Sequence, residues 1–427
     1  MDELTLASLI FGLTYALIVS ERIHKTAAAL LGGIAMVLFR IIDQEEAFDA
    51  VDFNVIFLLV GMMVIANISS QTGLFQWLAI RSVKASRGNA RAVLILLAVL
   101  TAVGSAFLDN VTTVVLMAPL TLFIATTMEL KPLPFLITQI MASNIGGTAT
   151  LIGDPPNILI GSAADLDFVD FLVHLAPVIL LILVLFLGAV FLFFRNDLQT
   201  SPAVRRQVME LDEAEVLTDR ALLRLCLIVL AAVSVGFVIA SVADYEPATV
   251  ALLGATVLLI AARQEPHEAL REVEWQTIFF FVGLFMVVGG VEEAGLLEDI
   301  GEQLGEASGG DLTAATMLVL WPGALLSGIV DNIPYTAATI PVVEELGREV
   351  EAPSGSGNPL WWALALAAGL GGNLTTVAAS ANVYVVNVAE RAGHKIGFFT
   401  FFFYGALVTV ASVSIASVYL WLRYLAF

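Results

Sequence analysis

An all-α polytopic membrane protein built from two inverted repeats is the fold class that the sequence predicts, on three observations. Of the 427 residues, 59% are hydrophobic and 14% charged, and the mean hydropathy is +0.92. A soluble domain holds about 45–50% apolar and about 25% charged residues. The apolar residues come in runs of the length, about 20 residues, that crosses a hydrocarbon layer of roughly 30 Å as a helix. The chain also repeats itself, with landmarks returning 283 − 61 = 222 positions later.

The first run, 4–20, follows Met1-Asp2-Glu3 rather than a basic segment, so it is expected to stay as a span rather than be cleaved. Further plain spans are expected near 26–42, 53–70, 172–194, 221–243, 247–262, 275–291 and 398–422. Four more apolar stretches, 92–127, 134–164, 312–343 and 359–388, are interrupted by polar, Gly and Pro residues. Interrupted segments at corresponding places in two halves point to a binding site inside the bilayer. The two Trp of Trp361-Trp362, and Trp421, fall near span ends, where an aromatic belt is expected.

The repeat is specific. Phe53-Asn54-Val55-Ile56-Phe57-Leu58-Leu59-Val60-Gly61 returns as Trp275-Gln276-Thr277-Ile278-Phe279-Phe280-Phe281-Val282-Gly283, and Leu30-Leu31-Gly32 as Leu252-Leu253-Gly254. Asp109-Asn110-Val111 returns as Asp331-Asn332-Ile333 at the same offset. Gly146-Gly147 and Asn157 correspond to Gly371-Gly372 and Asn382, where 382 − 157 = 225. Residues 1–194 and 221–427 therefore read as copies, joined by the polar linker 195–220. If the stretch around Asp109 is a re-entrant hairpin and 134–164 a broken helix, each half crosses five times. Five is odd, so the second copy enters from the opposite face. Charge bias agrees: Arg81, Lys84, Arg87 and Arg91 mark one loop as cytoplasmic, and the acid-only stretch from Glu292 to Asp311 marks the other side. Both termini are then expected outside the plasma membrane, with the linker in the cytoplasm.

Several function classes drop out. A net charge of −20, from 39 acids against 19 bases, argues against nucleic acid as a partner. Cys226 is the single cysteine, so no internal disulfide or Cys-ligated cluster forms, and a packing role is expected for it. No phosphate-binding G-x-x-x-x-G-K-[ST] loop is present, which argues against ATP-driven pumping by this chain. His24, His174, His267 and His394 lie near expected membrane boundaries without metal-ligand spacing. No cofactor and no enzymatic activity are expected. An intramembrane aspartyl protease is disfavoured because Leu151 fills the first Gly position of a Gly-x-Gly-Asp pattern before Asp154, and Asp109 and Asp331 lack it altogether.

The chemistry concentrates in two constellations. Asp109 and Asp331 sit in mid-segment, and an ionised carboxylate at the bilayer centre costs about 2.5 kcal/mol or more. Lys and Arg are absent from the interrupted segments except at the edge (Lys131), so no basic partner is expected nearby. A proton or cation is the natural guest, with Asn and Thr side chains and freed carbonyls adding oxygen ligands. Helix capping by Asp-Asn at a hairpin tip is the plainer reading, and the two can coexist. The second constellation is Asn144 to Asn157, with its copy Gly371 to Asn382. Gly pairs let a helix unwind and Pro155-Pro156 cannot continue one; bare backbone in a membrane is tolerated only where it lines a cavity or binds something. Asp154 has no twin, because Ala379 occupies its place.

The run Ser143-Asn144-Ile145-Gly146-Gly147-Thr148-Ala149-Thr150-Leu151-Ile152-Gly153-Asp154-Pro155-Pro156-Asn157 resembles the signature of the ion transporter superfamily, in the branch of the P protein and the arsenite permease and sodium–proton antiporter-like proteins. Asp109-Asn110-Val111-Thr112-Thr113 and Asp331-Asn332-Ile333-Pro334-Tyr335-Thr336 look like that branch's two hairpin motifs. The resemblance covers both halves. It implies a fold similar to the divalent anion–sodium symporters: a homodimer whose transport domain moves against a scaffold like an elevator. In those symporters Ser-Asn-Thr motifs bind sodium and the substrate carboxylate; here Asp109-Asn110 and Asp331-Asn332 stand in that place, and two fixed negative charges argue against a dianion unless they are protonated or sodium-bound.

The expected function is secondary active transport of a small anion or oxyacid, such as arsenite or a carboxylate, coupled to H⁺ or Na⁺. A Na⁺/H⁺ antiporter and a passive anion channel are the alternatives. Asp109, Asn110, Asp331, Asn332, Asn144 and Asp154 are the candidate cation or proton ligands. Thr112, Thr113, Gly146, Gly147, Thr148, Asn157, Thr336, Gly372, Asn373, Thr375, Thr376 and Asn382 are the candidate substrate contacts.

Overall fold

A computed structural model describes residues 2–20, 22–194, 198–210, 216–243 and 245–426. The first half runs α1 (Glu3–Ser20), α2 (Lys25–Leu38), α3 (Gln44–Asp49), α4 (Phe53–Ser70), α5 (Leu74–Ala85), α6 (Ala90–Leu108), α7 (Asn110–Thr127), α8 (Pro132–Gly147), α9 (Pro155–Ala163), α10 (Phe168–His174) and α11 (Ala176–Phe193). After α12 (Pro202–Met209) the second half runs α13 (Arg220–Ala243), α14 (Pro247–Ala261), α15 (Pro266–Arg271), α16 (Trp275–Glu293), α17 (Leu296–Ser308), α18 (Leu312–Val330), α19 (Asn332–Glu349), α20 (Pro359–Gly371), α21 (Ser380–Arg391) and α22 (Phe398–Leu420). Among the described residues there is no strand, and nine helical stretches are long and apolar enough to cross a membrane. Large apolar side chains such as Val242 (89% exposed) and Phe399 (84% exposed) face outward from α13 and α22. A soluble protein does not tolerate such a surface; lipid does.

Local chemistry sets the ends. Asp43 and Glu46 form a capping box on α3, and Asp52, Asn89 and Asp311 cap α4, α6 and α18 through their carbonyl or carboxylate oxygens. The short amphipathic α17 buries Leu297, Gly301, Gly305 and Ser308 against α19 and turns its acids outward.

The two halves pack reciprocally. Helix α2 lies along α16, and α14 along α4. At the first contact a Cβ on Gly283 would stand 2.5 Å from the Ala29 carbonyl carbon; at the second, a Cβ on Gly61 would stand 2.8 Å from that of Ala251. Since 251 − 29 equals 283 − 61, these are one contact made twice, with residue i touching j and its copy touching the copy, which is the mark of a two-fold relation. Helices α1, α2, α4, α13, α14 and α16 form one group; α6–α9 and α18–α21, flanked by α11 and α22, form another.

The stretch 92–127 folds as two helices of 19 and 18 residues meeting at Asp109, each near the length of a full crossing, although Asn110 at their shared tip is buried. Trp361 and Trp362 are buried inside α20 rather than set in a belt, because this whole helix is enclosed, and Trp362 stacks on His174 with ring centroids 4.7 Å apart. The linker is partly helical and docks on the α4–α6 region, with the Thr218 amide donating to the Thr72 carbonyl (3.2 Å) and the Thr200 hydroxyl to the Gly88 carbonyl (3.1 Å). Cys226 is buried in α13.

Candidate functional site

The α6–α7 and α18–α19 turns each consist of one residue, an aspartate. Asp109 has φ 77° and ψ 157°, and Asp331 has φ 95° and ψ 136°. Positive φ of this kind suits glycine; holding another residue there costs on the order of 1–3 kcal/mol. Both carboxylates cap the helix that follows. Asp109 accepts from the Thr112 amide (2.9 Å) and hydroxyl (2.6 Å), and Asp331 accepts from the Ile333 amide (3.1 Å). The capping role is real at both tips, yet capping needs no strain, so it does not account for the charge being placed there.

The breaks between α8 and α9 and between α20 and α21 are clasped by twin asparagines. Asn157 Nδ2 donates to the carbonyls of Gly147, Thr148 and Thr150; Asn382 Nδ2 donates to those of Gly372 (2.7 Å) and Thr375 (2.8 Å). Thr150 and Thr375 tie each break to its hairpin through the Ala106 and Gly328 carbonyls. Asn144 crosses between halves, donating to the Gly372 carbonyl, Asn373 Oδ1 and Asn382 Oδ1. Replacing Asn382 by Ala would leave these buried groups short of partners, at about 1–3 kcal/mol each. We expect a clearly lower thermal midpoint for the detergent-purified Asn382→Ala protein; an unchanged midpoint would remove the clasp from the account.

Where the tips meet the breaks lies a cavity of about 20 Å³, lined among others by Asp109, Asn110, Asp154, Glu274, Asn332 and Ser380. Asp154 is 1% exposed, and Asn332 Nδ2 from the other half reaches its two oxygens at 3.2 and 3.4 Å. Asn110 is buried in the same wall, and its side-chain oxygen has no hydrogen-bond partner. This cavity brings carboxylates and an idle carbonyl oxygen together, with no base on its wall; it can hold one small positive guest.

One expectation fails here. Asp331 does have a basic partner: Lys25 Nζ, at the start of α2, stands 2.9 Å from Asp331 Oδ2 and 2.8 Å from Ser380 Oγ. Lys25 lies outside the interrupted segments, and the fold carries it across 306 positions of sequence. Asp109 has Glu274 for a neighbour instead, an acid that sequence reasoning passed over. Its one signal was its place before Trp275, matching Asp52 before Phe53.

Two larger vestibules occupy repeat-related places. The first, about 470 Å³, is lined by His24, Lys25, Gln276, Asp331, Val383 and Asn387 among others, and shares Val111, Thr277 and Ser380 with the inner cavity. The second, about 260 Å³, is lined by the copies of those positions, Glu246, Pro247, Asn54, Ile158 and Ser162, together with Asp165 and Asp167. Leu58 and Leu151 also line it, and Asp109 does not. One tip is thus reached from a vestibule while its twin is not.

The candidate cation ligands Asp109, Asn110, Asp154 and Asn332 come together around the cavity, and Asp331 stands beside it. Asn144 joins the halves through Nδ2, while its Oδ1 is buried without a hydrogen-bond partner. None of the twelve candidate substrate contacts lines either the inner cavity or the first vestibule. Thr112 caps a tip, and Thr336 and Thr148 bond the Asn332 and Asn144 carbonyls. Thr375 and the asparagines Asn157, Asn373 and Asn382 hold the breaks, in which Gly147 and Gly372 offer their carbonyls. Gly146 presses on the Ala102 backbone, Thr113 is buried beside Gly104, and Thr376 is half-buried in the second break.

The profile of the citrate transporter family matches residues 15–367. The chain belongs to that family. This citrate transporter family member is 42% identical over 419 residues to an "Uncharacterized transporter" of Mycobacterium tuberculosis, covering 97% of each chain. It is 33% identical over 504 residues to the P protein of Homo sapiens, covering 98% of this chain and 60% of that one. Its fold is similar to that of the crystal structure of the YdaH transporter of Alcanivorax borkumensis, with a TM-score of 0.57 at 16% identity over 86% of this chain and 84% of that one. It is a multi-pass membrane transporter.

Proposed function

We propose that the chain is a secondary transporter that couples movement of a small anion, a carboxylate or oxyacid, to H⁺ or Na⁺. The observation carrying this is the charge count at the centre: Asp109, Asp154 and Asp331, with Glu274 beside them, meet a single Lys25. Buried carboxylates in such excess bind a proton or cation rather than remain bare. The first vestibule supports an anion as cargo. Its volume of about 470 Å³ lies in the range usual for small-molecule sites, His24 and Lys25 line it, and α2, α16 and α21 begin at its wall, offering helix N-termini to negative charge. The family's description as citrate transporters points the same way. Access to one tip at a time supports alternating exposure, in which the hairpin group moves against the group built on α2 and α16. The reciprocal contacts fit inverted halves, which need an odd number of crossings each (five if the hairpins are re-entrant), with both termini outside.

The test is uptake of labelled citrate and arsenite into proteoliposomes, with imposed proton or sodium gradients. Accumulation driven by one of the two is expected; uptake indifferent to both would end the reading. A cavity of about 20 Å³ favours one second reading, cation–proton exchange with the cation itself as cargo. Collapse of a pH gradient by Na⁺ alone, with no anion present, would select it.

A further inference from the structure

The Lys25–Asp331 pair does not behave like a fixture of the fold. It spans the two helix groups, since Lys25 opens α2 while Asp331 and Ser380 belong to the second hairpin and broken helix. Its lysine is 31% exposed, lines the vestibule, and lies 5.1 Å from the ring centre of Phe280. A second polar tie lies close by, from the Tyr15 hydroxyl to the Pro334 carbonyl at 2.7 Å. The repeat shows what is particular about this side. The copies of Lys25 and Tyr15, at 25 + 222 = 247 and 15 + 222 = 237, are Pro247 and Phe237, and neither side chain can donate a hydrogen bond. Asp109 therefore has no tethered base, although its backbone is held in the same strained form as that of Asp331.

We propose that Lys25 is a tethered counter-cation: its ammonium occupies the Asp331 seat, and a diffusible cation or proton must displace it to load that carboxylate. The inference rests on the cation-coupled reading above. An ammonium and a free cation cannot share one carboxylate oxygen, because like charges at contact repel and the oxygen has room for one of them. A monatomic ion and a proton are alike in this respect, since either neutralises Asp331 and frees the lysine. The displaced Lys25 swings on a flexible stem into the vestibule, and the tie between the two helix groups is lost. In the unloaded carrier, by contrast, the lysine satisfies Asp331 and pins the hairpin on the side described here. Loading is thereby coupled to release.

The four lysines (25, 84, 131 and 395) make the test direct, because amine acylation of each is read separately by mass spectrometry. Lys395, 79% exposed, is the internal reference. Asp331→Asn, which imitates the proton-loaded seat, is expected to raise labelling of Lys25 relative to Lys395 several-fold; an unchanged ratio overturns the proposal. In proteoliposomes the Lys25→Gln carrier is expected to reach half-saturation at a concentration of the driving ion, H⁺ or Na⁺, lower by on the order of tenfold. A purely structural lysine would lower stability and leave that concentration unmoved or raise it, and this result also overturns the proposal. If wild-type flux answers to neither gradient, cation coupling itself is at fault, and the labelling ratio still decides whether Asp331 holds the lysine.

Discussion

Asp109→Asn is expected to stop gradient-driven uptake while leaving the folded protein intact. Asn keeps an oxygen for the Thr112 amide, so the cap and the turn survive; what is lost is the charge and the second oxygen, which accepts from the Thr112 hydroxyl. That charge has no tethered base to compensate it, so a guest cation loses its partner outright. Removing one member of a buried charge pair costs about 3–5 kcal/mol, which is roughly a hundredfold or more in affinity. Flux measured in proteoliposomes should fall to the level of empty vesicles, with normal elution from a size-exclusion column. Wild-type flux in this variant would sink the assignment of the inner cavity.

Gly283→Val is expected to have the largest effect on folding. Its Cβ would stand 2.5 Å from both the Ala29 carbonyl carbon and the Leu30 nitrogen. Both are backbone atoms, which cannot turn aside as a side-chain tip can, so α2 and α16 must separate along their length. Overpacking of this kind costs about 1–3 kcal/mol even where side chains can adjust. Gly61→Val strains the copy of the contact against Ala251 and should act alike. Little monodisperse protein is expected from either variant; a wild-type thermal midpoint would show that the helices can slide apart cheaply.

Much of this architecture was legible in the sequence because the repeat reports contacts that both halves make. Asp109 and Asp331, the clasping Asn157 and Asn382, and the paired Gly61 and Gly283 all surfaced as matched positions. What escaped was whatever one half does alone. Lys25 has a proline for its copy and lies far along the chain from Asp331, so neither repetition nor local spacing marked it. Glu274 had only its place before Trp275 to mark it; the folded chain sets it against Asp109. The residues of the breaks carry a second demand that the sequence does not display. A polar residue beside unwound backbone is first of all needed to satisfy that backbone, and the side-chain amides of Asn157 and Asn382 donate to it, while Asn157 Oδ1 has no hydrogen-bond partner.

The backbone angles at the two tips carry a cost for the lineage as well as for the molecule. The chain would rest more easily with glycine at 109 and 331, so selection for robustness alone would erode the very charges that we propose make the centre responsive to ions. A sturdier relative with glycine at both turns is the natural end of that drift, and it would be a protein with the same outline and nothing to carry.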